Sequence, residues 1–156
     1  MQSSTSVPNL PEPIDSARRP TKAYSPGQVA GAAFVGSPIA GCLLLASNFA
    51  LFGMPESRRN SILWGSVATV ALFAIALYLP ADFPNSILPA AYVVALQQIA
   101  SRTQGSLFES YIAGGGVKHS NWRVFGIGLA CGVVIFLIVF ALILAVPPEL
   151  FPEVEI

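Results

Sequence analysis

Hydrophobic and polar positions along this chain fall into long blocks rather than into short alternations. The clearest block runs from Trp122 to Val146. No charged residue lies between Arg123 and Glu149, and Val133 to Leu144 is unbroken apolar sequence. At about 1.5 Å per residue the block reaches roughly 35 Å, enough to cross a hydrocarbon core of about 30 Å. A buried helix of a soluble protein would carry a polar stripe over that length, and none is visible. The pattern predicts a transmembrane helix.

Three further blocks precede it. The first covers residues 28–52 and is interrupted near its middle by Gly36-Ser37-Pro38. Pro38 removes a helix hydrogen bond and clashes with the preceding turn. The stretch is therefore either one kinked span or a re-entrant hairpin of two half-length helices with both ends on one side. Backbone that leaves the helix at membrane depth must be satisfied by protein or water, so a hairpin needs neighbours to pack on. The second block, 61–79, is free of charge and ends at Pro80, with Trp64 and Tyr78 towards its ends. The third, 84–102, is weaker, because Gln97, Gln98 and Arg102 erode its far end.

Between the blocks, 53–60 reads as a short basic loop and 101–121 as a polar linker with a hinge at Gly114-Gly115-Gly116. Residues 1–23, rich in Pro, Ser and charge, read as a disordered cytoplasmic tail. Residues 149–156 form a short acidic tail. The expected architecture is an all-α membrane protein, with one transmembrane helical domain over 24–148. That domain would be a small bundle of three to four hydrophobic segments, the first broken or re-entrant.

Charge placement weighs the two topologies. Basic residues concentrate in cytoplasmic loops. With a re-entrant first segment and a crossing third one, Arg18, Arg19, Lys22, Arg58, Arg59, Arg102, Lys118 and Arg123 all fall inside, which is every basic residue of the chain. With a spanning first segment and an interfacial third one, Arg58 and Arg59 move outside. Both arrangements put the N-terminus inside, in the cytoplasm, and the C-terminus outside.

Composition narrows the chemistry. Charged residues make up 10% of the chain and hydrophobic ones 54%, with zero net charge. Soluble domains carry about 25% charged residues, and no basic stripe exists to neutralise the phosphates of a nucleic acid. No ionisable group lies within a span, where proton relays and ion pathways place theirs. His119, the sole histidine, has no carboxylate or thiol at metal spacing. Cys42 and Cys131 sit in apolar sequence as small packing residues. No nucleophile elbow or phosphate loop is present. No cofactor or metal is expected, nor enzyme activity.

The informative spacings concern packing. Gly128 and Gly132 form a GxxxG in the last block, Gly27 and Gly31 repeat it in the first, Gly41 follows Ser37 at the same distance, and Gly65 belongs to a small-residue face of the second. In lipid, helices associate through close backbone approach, so small residues four apart mark contact faces. Gly36 and Pro38 complete the expected packing set.

Tyr24-Ser25-Pro26-Gly27-Gln28-Val29-Ala30, the 36–41 break, Gln97-Gln98-Ile99-Ala100 and Ser120-Asn121-Trp122 together resemble an uncharacterised family of small bacterial multi-pass inner-membrane proteins. The resemblance implies a bacterial inner-membrane location, where the outside that holds the C-terminus is the periplasm, and brings no activity or site residues. The expected function is non-enzymatic: an accessory, interaction or immunity-type subunit acting through helix–helix contacts. Membrane lipids surround it, with a protein partner or a second copy within the membrane. The alternative is a small homo-oligomeric channel or permeation protein.

Overall fold

A computed structural model describes residues 22–80, 82–84 and 86–145. The elements in order are β1 (Lys22–Ala23), α1 (Pro26–Leu51), α2 (Pro55–Tyr78), α3 (Ile87–Ala113), β2 (Val117–Lys118) and α4 (Asn121–Ala145). The acidic stretch 149–156 and all but the end of the 1–23 tail lie outside the described residues. The fold is an all-helical bundle, and α1, α2 and α4 are long and apolar enough to cross a membrane.

The first helix is the core of the bundle, and it is folded in two. Ser25 caps its start: the Ser25 hydroxyl accepts from the Gln28 N–H while the Gln28 side chain accepts from the Ser25 N–H, and Pro26 occupies the first turn. Helical geometry fails at Gly36 (φ −122°, ψ 15°) and Ser37 (φ 80°, ψ 170°), and a second half-helix restarts at Pro38. A straight helix of 26 residues would hold its ends about 39 Å apart. Here the Tyr24 N–H donates to Asn48 Oδ1 at 2.8 Å, and Asn48 Nδ2 donates back to the Tyr24 carbonyl at 2.7 Å. The chain therefore reverses at Gly36–Pro38, the tip, and returns to a base where Tyr24 and Asn48 meet.

Glycines make the close approaches possible. A Cβ at Gly41 would lie 3.0 Å from the Ala33 Cβ and 3.1 Å from the Val29 carbonyl, across the hairpin. One at Gly65 of α2 would meet the Cys42 side chain, and one at Gly36 would overlap the Gly128 backbone of α4. Gly128 in turn faces Val35 and the Ala32 carbonyl, and Gly132 faces the Val35 carbonyl. These contacts set the directions. The second helix runs from Cys42 to the Ile39 level and the fourth from Gln28 to the tip, both outward. The third returns, with Leu96 beside Gly41 and Gln104 beside Leu45. All three pack on α1 and hardly touch one another.

Two boundaries differ from the sequence reading. Residues 55–60 are the first turns of α2 rather than loop, started by Pro55 at N1. The third helix continues to Ala113 instead of yielding to a polar linker at 101. Gln104 is buried there, and Tyr111 sets its ring edge-on to Phe52 at 6.1 Å, so tertiary contacts hold residues whose polarity suggested a linker. The glycine turn at 114–116 does end that helix, with Gly115 at φ 89°. It leads into β2, which pairs in parallel with β1 through Lys22 to Val117 and Ala23 to Lys118.

Replacing Gly128 with leucine should force α4 off the tip and cost at least about 2 kcal/mol, the usual scale of core overpacking. Gly27→Leu, where a Cβ meets nothing within 4 Å, should leave stability near the parent value. Thermal unfolding of the purified variants checks the contrast.

Candidate functional site at the two ends of the hairpin

The base is closed by side-chain amides. Asn48, besides its pair of bonds to Tyr24, donates through Nδ2 to Gln104 Oε1 at 2.9 Å. Gln104 Nε2 donates to the Leu45 carbonyl at 3.0 Å. Gln28 Nε2 donates to the His119 carbonyl and to Asn121 Oδ1, both at 2.7 Å. Asn48 is 2% exposed and Gln104 1%, and each buried amide has the partners that make its burial tolerable. Together they tie the start of α1, its end, α3 and α4 to one point.

His119 belongs to this closure. Its backbone N–H donates to the Ala23 carbonyl at 3.0 Å, and its ring stacks on Tyr24 with centroids 4.1 Å apart. Partial burial, then the nearby Arg123 and Lys22 cations, lower its pKa from the ordinary 6.5, with a backbone hydrogen bond to Lys22 acting the other way. The imidazole is held neutral where it locks the entering chain to the α3–α4 connection.

The tip is built differently. The Ile39 N–H, left without an intrahelical acceptor by the break, donates to Thr69 Oγ1 at 3.2 Å, and the Thr69 hydroxyl donates to the Gly65 carbonyl at 2.8 Å. The Ser37 hydroxyl is buried with no partner, the one such side-chain atom among the described residues. Beyond it, away from the base, a cavity of about 530 Å³ opens between α2 and α3.

The glycines and Pro38 singled out by the sequence separate into two groups. Gly36, Pro38, Gly41, Gly65, Gly128 and Gly132 gather at the tip and along the hairpin. A Cβ added at Gly27 or Gly31 would meet nothing within 4 Å, and the two instead line a shallow groove beside Asn121 and Phe125. Cys42 packs against Gly65, and both cysteines are free thiols. Gln97 and Gln98 are exposed. Sequence reasoning missed Gln104 and Gln28 as structural anchors, and took Thr69 as part of the small-residue face of the second block without its bond to the break. A polar side chain on an otherwise apolar helix face is the signal they give, joined for Gln28 by its capping-box spacing from Ser25, and neither names a distant partner.

No group of three His, Cys, Asp or Glu side chains converges among the described residues. Neither Ser37 nor Thr69 has a base beside it. What the arrangement does chemically is hold a reversed, broken helix shut at one end and leave an unused hydroxyl at the other.

Asn48→Leu strands the Gln104 carbonyl and the Tyr24 N–H and carbonyl, and should cost at least about 3 kcal/mol. The double variant with Gln104→Leu should cost less than the sum of the singles, a coupling measured by a double-mutant cycle on thermal or denaturant unfolding. Because folding lowers the His119 pKa, its neutral form stabilises the native state above about pH 6.5. That contribution is lost as acid charges the ring, since the unfolded chain binds the proton first. The unfolding midpoint should thus fall on acidification below pH 6.5, and less so in His119→Phe. Comparisons with known proteins found nothing similar: no family model matches the chain, and neither does any curated protein or solved structure.

Proposed function

We propose that this is a small multi-pass membrane protein, non-enzymatic, that works as an accessory or interaction subunit through contacts in the membrane plane. The observation that carries the reading is the mismatch between α3 and its neighbours. The outer faces of α2 and α4 are almost wholly apolar; their most hydrophobic windows are only 11% and 6% buried. Lipid covers such surfaces without cost, whereas water would leave Trp64, Val70, Phe136 and Leu144 exposed. The third helix is not among the three apolar ones, yet it runs beside the hairpin at the same depth. Its uncovered side carries Gln97, Gln98, Ser101 and Arg102. Amides facing lipid are unfavourable and act as interhelical hydrogen-bond donors when a partner is supplied.

In this placement the hairpin is re-entrant and its tip lies near mid-bilayer. Tyr78 lies about 13 Å beyond Thr69, and Arg58, Arg59, Arg102, Lys118 and Arg123 gather at the base. The positive-inside rule favours a cytoplasmic base, and a bacterial inner membrane is what the resemblance noted in the sequence implies. A channel through the hairpin of a single chain is disfavoured. Val29, Ala33, Leu44, Asn48 and Gln104 are all buried beneath the tip, so a path from the cavity to the base is filled with side chains.

Reporter fusions should place residue 56 in the cytoplasm and residue 82 outside; residue 56 outside would overturn the re-entrant placement. In mild detergent the protein should run with a companion or as an oligomer that Gln97→Leu with Gln98→Leu dissociates. A monodisperse monomer unaffected by that double change, or ion flux from liposomes holding the purified protein, would overturn the interaction reading.

A further inference from the structure

We propose that the cavity above the hairpin tip binds one elongated apolar molecule through an uncharged oxygen at its end, with the Ser37 hydroxyl as its hydrogen-bond partner. Three separate observations meet there. The first is the space itself: about 530 Å³, within the roughly 300–1,000 Å³ range of small-molecule sites. Its walls are apolar, with Leu72 and Phe73 from α2 and Leu88 and Tyr92 from α3, and its floor is Ser37 and Thr69.

The second is the unused hydroxyl. Thr69 Oγ1 is already engaged with Ile39 and Gly65, while Ser37 Oγ is buried and unpartnered. Leaving such a group unmatched costs about 1–3 kcal/mol; Ser37 lines the cavity, and a turn of its side chain about χ1 towards that space would let an oxygen on an occupant remove that cost. The third is the backbone. Ser37 holds φ 80°, ψ 170°, a conformation glycine takes freely and other residues adopt at a cost of about 1–3 kcal/mol. A glycine here would make the reversal easier, so a strained serine whose hydroxyl serves nothing inside the protein points to a group outside it.

The same geometry selects the ligand. The half-helix 38–51 begins at the floor, and its N-terminal end favours an acceptor oxygen. No charged side chain lines the cavity, so a carboxylate or phosphate would lie unpaired among apolar walls. A long-chain alcohol or a carbonyl-tipped chain fits; an alkane lacks the oxygen and a fatty acid carries a charge.

The test uses the full chain in detergent micelles and a diazirine-bearing hexadecanol, with crosslinked peptides mapped by mass spectrometry. Labelling of residues 69–92 should saturate, and hexadecanol should compete about fivefold better than hexadecane or palmitate, the scale of one neutral hydrogen bond. Ser37→Gly, which keeps the backbone comfortable, should erase that preference while raising the unfolding midpoint. Ala76→Trp, in the cavity wall, should abolish saturable labelling. Labelling that never saturates, equal competition by hexadecane and hexadecanol, or a preference retained in Ser37→Gly would each overturn the assignment.

Discussion

A helix that reverses in its middle must give up backbone hydrogen bonds at the turn, and everything else in this molecule answers that requirement. At Gly36–Pro38 the carbonyls ending one half-helix and the N–H groups starting the next have no intrahelical partners. In an apolar surrounding each unsatisfied group costs several kcal/mol. The protein meets this by packing three helices around the break. Thr69 supplies an acceptor for the Ile39 N–H, and α4 brings Gly128 and Gly132 so close that its backbone shields the Ala32 and Val35 carbonyls. The outer helices owe their arrangement to the hairpin, which is why each packs on α1 and scarcely on the others.

Closing the two ends takes different chemistry. At the tip the chain needs proximity, so side chains shrink to glycine and the contacts are backbone on backbone. At the base four chain segments converge, namely the entry at Tyr24, the exit at Asn48, mid-α3 and the start of α4, and dispersion alone would let them slide. Amide side chains fix their register because each has a donor and an acceptor that must both be matched. Asn48 is the centre of this arrangement, bonded at once to the strand–helix junction and to Gln104.

How much of this the sequence disclosed follows the range of the interactions. The break at Gly36-Ser37-Pro38 and the glycine turn at 114–116 are local chemistry, and both were legible. The apolar segments were legible too, but hydropathy measures composition, not surroundings. The first and second helices share a hydropathy of 1.9, yet 67% of one window is buried and 11% of the other. Nothing in their compositions says which one the others enclose. The GxxxG spacing suffers the same limit: Gly128 and Gly132 meet the tip, while Gly27 and Gly31, identically spaced, face open space. The continuation of α3 to Ala113 and the roles of Gln28 and Gln104 depend on residues more than fifty positions away along the chain, and no local pattern encodes them.

The asymmetry between base and tip bears on how the molecule can move. The base is satisfied: its amides are paired, its rings stacked, and a short parallel strand pair holds the entering chain to the α3–α4 connection. Opening it would expose several buried polar groups together. The tip instead keeps a strained residue, an unmatched hydroxyl and a cavity on its open side, between α2 and α3, which scarcely touch each other. Movement of α2 and α3 apart there would give up the Ile39–Thr69 bond but no buried amide, and can relieve strain at Ser37. Any conformational response of this protein is therefore expected where the hairpin reverses and the second and third helices splay, with the amide-locked base as the fixed end against which they move.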